Sequence, residues 1–354
     1  MCTDGGARLI RARDVAPAPA PLRSPSVIVF LVLVAACNGR SSYLDATGAA
    51  GHREANLGIW LTIVASAVVL FVCVALLLVV FRKRDQTKRD SSVERYQIAS
   101  GLNWIYIGTG TTIAILVAVF IATMVTLTAA AHPPKTPSLT MDVTGHQWWW
   151  EITYSDASNP NLGFTTANEV HLPVGIPVRV RLRSADVIHS FWLPQIAGKT
   201  DVIPGQVNEM WVQADKPGTS RGMCGEYCGL QHAEMALTVT AESPSQFNAW
   251  AQQRRAEAAP PATAEAQTGQ TVFLRSCGAC HAVAGTPALG RYAPELTHFA
   301  SRPTIGAGAL ENNADNLARW IHNAPGIKEG ARMPAIPLDA AETRAVVEYL
   351  QTLR

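Results

Sequence analysis

The chain has 354 residues, enough for two or three domains. Hydrophobic residues make up 48% and charged residues only 16%, which is poor in charge for a wholly soluble protein and points to a membrane portion. A formal net charge of +2, with no basic run flanked by aromatics, sets nucleic acid aside as a partner.

In chain order, the first 26 residues are rich in Arg, Ala and Pro and carry no apolar period. Val27–Ala36 is then an uncharged run, too short for a hydrocarbon core of ~30 Å but suited to the core of an export signal. Arg8, Arg11, Arg13 and Arg23 form its positive flank. The run ends Leu33-Val34-Ala35-Ala36-Cys37, which resembles a bacterial lipoprotein box. The resemblance implies that residues 1–36 are a cleaved leader and that the Cys37 sulfur carries a lipid.

Residues 37–131 are expected to form a transmembrane helix hairpin, with spans at Ile59–Phe81 and Ile105–Thr128. The first is 23 uncharged residues, which as a helix reaches ~35 Å. Trp60, Trp104 and Tyr106 sit near the ends, where amphipathic rings favour the interface. The connecting loop has Arg82, Lys83, Arg84, Lys88, Arg89 and Arg95 against Asp85, Asp90 and Glu94, which marks the cytoplasmic side. Both outer ends, a lipidated Cys37 and everything after Ala131 then face outward. Cys73, inside the first span, is read as packing.

Residues 132–245 change pattern. Ile176, Val178, Val180 and Leu182 alternate with Pro177, Arg179, Arg181 and Arg183, the period of a half-buried strand. Further strands are predicted within Met141–Tyr154, Asn208–Ala214 and Met235–Ala241, separated by turn signals such as Ile203-Pro204-Gly205. The expectation is a small antiparallel β-sandwich or barrel. The three arginines read as a solvated face, with docking as the second reading.

The segment Met223-Cys224-Gly225-Glu226-Tyr227-Cys228-Gly229-Leu230-Gln231-His232-Ala233-Glu234-Met235 places two thiols, an imidazole and a thioether close together. These soft donors suit copper, and two thiolates can bridge two metal ions. A Cys224–Cys228 disulfide would be ordinary in an oxidising compartment but leaves His232 and Met235 unexplained. Zinc has no use for Met, and a mononuclear blue-copper site needs only one Cys.

This segment resembles the copper A loop of cytochrome c oxidase subunit II. The stretches Asp186-Val187-Ile188-His189-Ser190-Phe191, Lys199-Thr200-Asp201-Val202-Ile203-Pro204-Gly205 and Gly145-His146-Gln147-Trp148-Trp149-Trp150 fit the same family. The likeness covers roughly residues 55–245 and implies a cupredoxin fold. It implies a dinuclear copper A held by His189, Cys224, Cys228, His232, Met235 and the Glu226 carbonyl. It also implies a magnesium shared with subunit I through the Glu226 side chain, electron arrival at Trp148, and an interface position for Asp186. Trp149 departs from the Tyr common in the family, a mild change that puts no ligand in doubt.

Residues 246–268 read as a linker, since Ala251–Thr268 is rich in Ala, Gln, Glu and Pro. Residues 269–354 follow as an all-α domain. Cys277-Gly278-Ala279-Cys280-His281 is a c-type haem attachment pattern: two thioethers fix the porphyrin edge, and the next residue offers its imidazole to the iron. Helices are predicted at Gln270–Ser276, Ala314–Asn323 and Asp339–Thr352, the first and last resembling the terminal helices of class I cytochromes c. Met333 is expected as the second axial ligand beside His281, with His298 and His322 as competitors. Gly285, Leu289-Gly290 and Ala293-Pro294-Glu295-Leu296 resemble the haem-side loop of fused oxidase cytochromes.

The resemblance therefore implies a multi-domain protein of a bacterial inner membrane: a two-helix hairpin, an all-β cupredoxin-like sandwich and an all-α cytochrome c domain, both soluble domains on the periplasmic face. It implies the electron-accepting subunit of a respiratory oxidase, partnered by subunits I and III. A soluble or membrane-bound cytochrome c would reduce the one covalent haem c, which passes electrons to copper and then to subunit I for oxygen reduction and proton pumping. A copper A subunit of a nitric oxide reductase is the alternative.

Overall fold

The computed structural model describes residues 42–82, 91–156 and 159–354. The expected leader, Cys37 and residues 83–90 of the basic loop lie outside them.

Two helices come first, α1 (Ala49–Phe81) and α2 (Ser91–Ala131). Both are long and apolar enough to cross a membrane. Phe71, Leu78, Phe81, Leu116, Phe120 and Val125 are exposed along them. Water would penalise that surface at about 25 cal/mol per Å² and lipid would not. Their outer ends are tied to the following domain. The backbone N–H groups of Thr47 and Gly48 donate to the Gln195 carbonyl at 2.6 and 3.0 Å, and that of Gly51 donates to Ile196 at 3.0 Å. A Cβ at Gly48 would overlap the Ile196 carbonyl, so only glycine permits this approach. At the end of α2, the Trp211 indole donates to the Ala130 carbonyl at 2.6 Å.

Ten strands form the β-domain: β1 (Leu139–His146), β2 (Trp149–Asp156), β3 (Asn159–Ala167), β4 (Glu169–Pro173), β5 (Val178–Ser184), β6 (His189–Leu193), β7 (Ala197–Val202), β8 (Asn208–Val212), β9 (Gly218–Cys224) and β10 (Ala236–Glu242). They make two five-stranded sheets, β3-β2-β1-β5-β8 and β4-β10-β9-β6-β7. Met141, Val143, Trp150, Ile152, Val180, Leu182 and Phe191 are buried in the shared core.

The alternation in β5 sends Val178, Val180 and Leu182 inward. Arg181 lies opposite Asp142 in the register and pairs with it at 2.7 Å, while Arg183 reaches Asp142 at 3.0 Å and Arg179 reaches Glu209 at 2.7 Å diagonally. They form a solvated ladder of ion pairs. The run Met141–Tyr154 is divided between β1 and β2. The chain reverses at Gln147-Trp148 and sets Gly145 opposite Trp150. No Gly, Pro or Asn marks that turn, because its polar groups are satisfied by distant partners, among them Asp186 and Cys228.

The predicted linker begins too early. Residues 244–254 form α3 (Pro244–Arg254), started by a Ser243/Gln246 capping box with Pro244 in the first turn. Phe247 and Trp250 bury against Tyr154 and Phe164, and the Trp250 ring stacks on His171 at 3.9 Å. Two aromatics in an otherwise Ala- and Gln-rich stretch convert it into part of the core.

The C-terminal domain contains α4 (Ala264–Ser276), short strands β11 (Thr304–Ile305) and β12 (Leu310–Glu311), α5 (Ala314–Ile327) and α6 (Ala340–Thr352). The two terminal helices cross at Gly269, where a Cβ would overlap the Ala345 carbonyl. Asp339 caps α6, accepting from the Ala341 and Glu342 N–H groups at 2.8 Å. Helix α5 runs past its predicted end through a kink at Asn323, just before Pro325.

The β-domain and the C-terminal domain touch through buried charge. Glu169 of β4 lies 3.6 Å from Arg254 and 3.9 Å from Arg302, and Arg302 lies 3.6 Å from Glu295. The Ala236 N–H also donates to the Ala307 carbonyl at 3.1 Å.

Candidate metal centre and haem-attachment site

Strand pairing gathers the first site. β6 lies antiparallel to β9, so Phe191 opposes Cys224 and the start of β6 lies near the end of β9. His189 Nδ1 then stands 3.9 Å from the Cys224 sulfur. The loop after Cys224 folds back through a short 3-10 turn, His232–Glu234. It puts the Cys228 sulfur 3.8 Å from that of Cys224, 3.8 Å from His232 Nδ1 and 3.9 Å from the Met235 thioether. The Glu226 carbonyl is 3.2 Å from the Cys224 sulfur. Both cysteines are free thiols. All the donors that sequence reading singled out here are brought together, and His189, Cys224, Cys228 and Met235 are buried.

The donor chemistry fits soft metal ions. Two sulfurs at this separation, each flanked by one imidazole, can bridge a pair of ions. The protonation balance points the same way. The hydrogen bond with Cys228 holds the Cys224 thiol well below its usual range, with further help from His189, against the effect of burial. The same contact, reinforced by burial, pushes Cys228 up. Two thiolates side by side therefore require a cationic neighbour.

Asp186 orients the site from behind. Its Oδ1 lies 2.8 Å from His189 Nε2, and it accepts from the Gln147 and Val187 backbone N–H groups at 2.8 Å each. An Nε2–H donated to Asp186 leaves Nδ1 as a lone pair facing the thiols. Burial disfavours a charged His189, but the hydrogen bonds to Cys224 and Asp186 outweigh it and raise its pKa. The Asp186 carboxylate is thus turned toward His189. The Glu226 carboxylate is exposed and lies 3.5 Å from Lys199.

Trp148 is buried rather than open to the outside. Its indole N–H donates to the Cys228 carbonyl at 2.9 Å, and the Gln147 side-chain amide donates to the same oxygen at 2.9 Å. Lys328, which no sequence pattern singled out, reaches this loop from the C-terminal domain. It donates to the carbonyls of Trp148, Glu234 and Gly306, and burial pushes its ammonium down to about 8.

The second site is local. Helix α4 ends at Ser276 with Cys277 as its C-cap, and the turn presents Cys277, Cys280 and His281. His281 Nδ1 lies 2.7 Å from the Pro294 carbonyl. That bond fixes the tautomer and leaves Nε2 as the coordinating nitrogen. Burial lowers the His281 pKa, which favours the neutral ring that ligates. The Tyr292 and Ala293 N–H groups donate to the Cys280 carbonyl, and a Cβ at Gly290 would overlap the Cys280–His281 backbone. The loop 289–296 is therefore the wall of the attachment turn. Leu289 and Tyr292 lie exposed on it, apolar surface that a porphyrin can cover. Of the axial candidates, Met333 is half-buried and His322 is exposed. His298 is turned to the chain end, its Nδ1 2.9 Å from the Arg354 carbonyl. The residues present fit a covalently attached haem.

Comparison with known proteins finds relatives of both soluble domains. The sequence matches the family of cytochrome c oxidase subunit II, periplasmic domain, over residues 162–242, and the cytochrome c family over residues 266–354. It is 34% identical over 306 residues to cytochrome c oxidase subunit 2 of Alkalihalophilus pseudofirmus, covering 83% of this chain and 85% of that one. It is 33% identical over 229 residues to cytochrome c oxidase subunit 2 of Bacillus sp. strain PS3, covering 61% of this chain and 63% of that one. Among solved structures, it matches the periplasmic domain of subunit II of cytochrome oxidase of Bradyrhizobium japonicum. There the identity is 32%, the coverage 34% of this chain and 96% of that one, and the TM-score 0.31.

Proposed function

This chain belongs to the cytochrome c oxidase subunit II family and carries a C-terminal cytochrome c domain, and we propose that its two soluble domains pass electrons in series, haem domain first. It is a membrane protein with a periplasmic domain, and it serves as the electron-accepting subunit of a haem–copper terminal oxidase, an oxidoreductase, beside subunit I. The finer reading is that a cytochrome c delivers the electron and that subunits I and III complete the complex in the bacterial inner membrane. Subunit I would reduce oxygen to water with proton pumping.

His189, Cys224, Cys228, His232, Met235 and the Glu226 carbonyl would hold a pair of copper ions. Cys277 and Cys280 would carry the haem, with His281 and Met333 on its iron. When bound, both groups supply reversible one-electron transfer. The chain's residues do the rest. Asp186 and the Pro294 carbonyl fix the two imidazoles, and the buried thiols and thioether keep water off the copper side. The Glu226 carboxylate is assigned to a magnesium shared with subunit I, and Cys37 to a lipid anchor.

The observation that carries the reading is the pair of free thiols 3.8 Å apart, each within 3.9 Å of a different imidazole. The test is an absorption spectrum of the purified full chain, loaded with copper and haem, oxidised and then reduced. A c-type haem spectrum together with a near-infrared mixed-valence copper band is expected. A haem spectrum without that band, despite full copper loading, would overturn the dinuclear assignment.

A further inference from the structure

The Trp148 ring lies between two glycines, one from each soluble domain. Gly229 of the copper loop has φ 114° and Gly330 of the haem domain has φ 80°, and a Cβ on either would stand only 3.1 or 3.0 Å from the ring. The ring is 9% exposed. The aromatic that donates to the Cys228 carbonyl is thus roofed by the segment Lys328–Gly330, which leads on to Met333.

Lys328 holds that roof down. The residue is 3% exposed, and its ammonium donates to the carbonyls of Trp148 at 3.0 Å, Glu234 at 2.8 Å and Gly306 at 2.7 Å. All three of its protons are satisfied. The acceptors come from three separate places: the β1–β2 turn, the copper loop just before Met235, and the turn between β11 and β12. Gln231 adds a neighbouring bond to the Glu329 carbonyl at 3.0 Å. Where burial of surface is all that is needed, an apolar side chain does as well or better than a buried charge. Three acceptors from three segments instead specify one relative position of the two domains.

We propose that Lys328 is a positioning residue that clamps the haem domain onto the Trp148 turn, so that Trp148 is reached only from within the chain and its face is closed to outside protein partners. The inference deepens the electron-accepting reading and rests on it for its consequence: an electron-donating protein lands on the haem domain and not at Trp148.

The test is hydroxyl-radical footprinting of the full chain in detergent, read residue by residue by mass spectrometry. Tyr227, 73% exposed, is the reference. Trp148 is expected to be protected roughly tenfold relative to its labelling in the unfolded chain. Lys328→Met should raise its labelling about fivefold or more, because three buried carbonyls lose their donor. In the same variant, flash-induced transfer from haem to copper should slow by about tenfold while both absorption bands keep their positions. If Lys328→Met also exposes buried Tyr349, the haem domain has unfolded and Gly330→Val decides, since its side chain would push the roof off the ring. Labelling of wild-type Trp148 at its unfolded level, or no change in the deciding variant, overturns the clamp. Failure of the electron-accepting reading is separately visible as a missing copper or haem band, which the footprint does not need.

Discussion

His189 and His281 each give one ring nitrogen to a fixed acceptor and keep the other for a metal, but the acceptors differ in charge. His189 faces the Asp186 carboxylate at 2.8 Å, and its pKa is raised; His281 faces the neutral Pro294 carbonyl at 2.7 Å, and its pKa is lowered. The sites around them differ in the same way. Donors from His189 to Met235 are collected by two strands and a loop, so that centre exists only once the sandwich has folded. Cys277, Cys280 and His281 sit on one turn at the end of α4, so that centre is carried by its own short motif. One site depends on tertiary structure and the other on local structure.

The largest effect should come from separating them. Cys228→Ser is expected to abolish the near-infrared copper band while leaving the haem spectrum intact, and Cys277→Ala with Cys280→Ala should do the reverse. Absorption spectra of the two purified variants check this. Loss of both signals in either variant would mean that the centres form cooperatively and that the contrast between them is wrong.

Next in size is the joint between the halves. Glu169→Gln leaves the buried Arg254 and Arg302 without their shared carboxylate, which should cost about 3 kcal/mol. Calorimetry should show the β-domain and haem domain unfolding as two transitions where the parent shows one. A single transition at the parent temperature would mean that the charges there add nothing.

The contrast also explains what could be read in advance. The haem turn was legible in full, because its chemistry is written in five consecutive residues. The copper loop was legible for the same reason, and His189 through the family resemblance of the stretch around it. Asp186 was noticed, but its role was not, since a carboxylate three residues before a histidine shows nothing of which way it turns. Lys328, Glu169, Arg254 and Arg302 gave no signal at all. Each reads as an ordinary surface charge until the two domains close over it. Phe247 and Trp250 were hidden by the Ala- and Gln-rich composition around them, and the Gln147-Trp148 reversal by the lack of turn residues. What sequence missed is what forms between elements rather than within them.

A smaller effect tests the carboxylate behind His189. Asp186→Asn should weaken copper binding by roughly 10–100-fold, because the outer partner no longer fixes the imidazole tautomer. Competition with a copper chelator measures this directly. The haem side has no equivalent substitution, since its acceptor is a backbone carbonyl, and its spectrum should not move. Unchanged copper affinity would reduce Asp186 to a support for the Gln147 turn.

The smallest effect is the dependence on pH, and here the two histidines should part. His189 has a folded pKa above the ordinary 6.5. In the copper-free chain its contribution to stability is therefore fully present below 6.5 and is lost as pH rises through the raised value. Copper binding follows the opposite course over the same window, because the metal needs Nδ1 without its proton, so affinity climbs as His189 deprotonates. His281 is shifted the other way by burial, so a proton competes less with the iron there. Between pH 6 and 8, copper affinity should thus rise while the haem spectrum stays constant, and Asp186→Asn should move the rise to lower pH, because the charged imidazole has lost one of its anionic partners. A copper affinity as flat as the haem spectrum would show that the thiols, and not His189, govern proton competition at this centre.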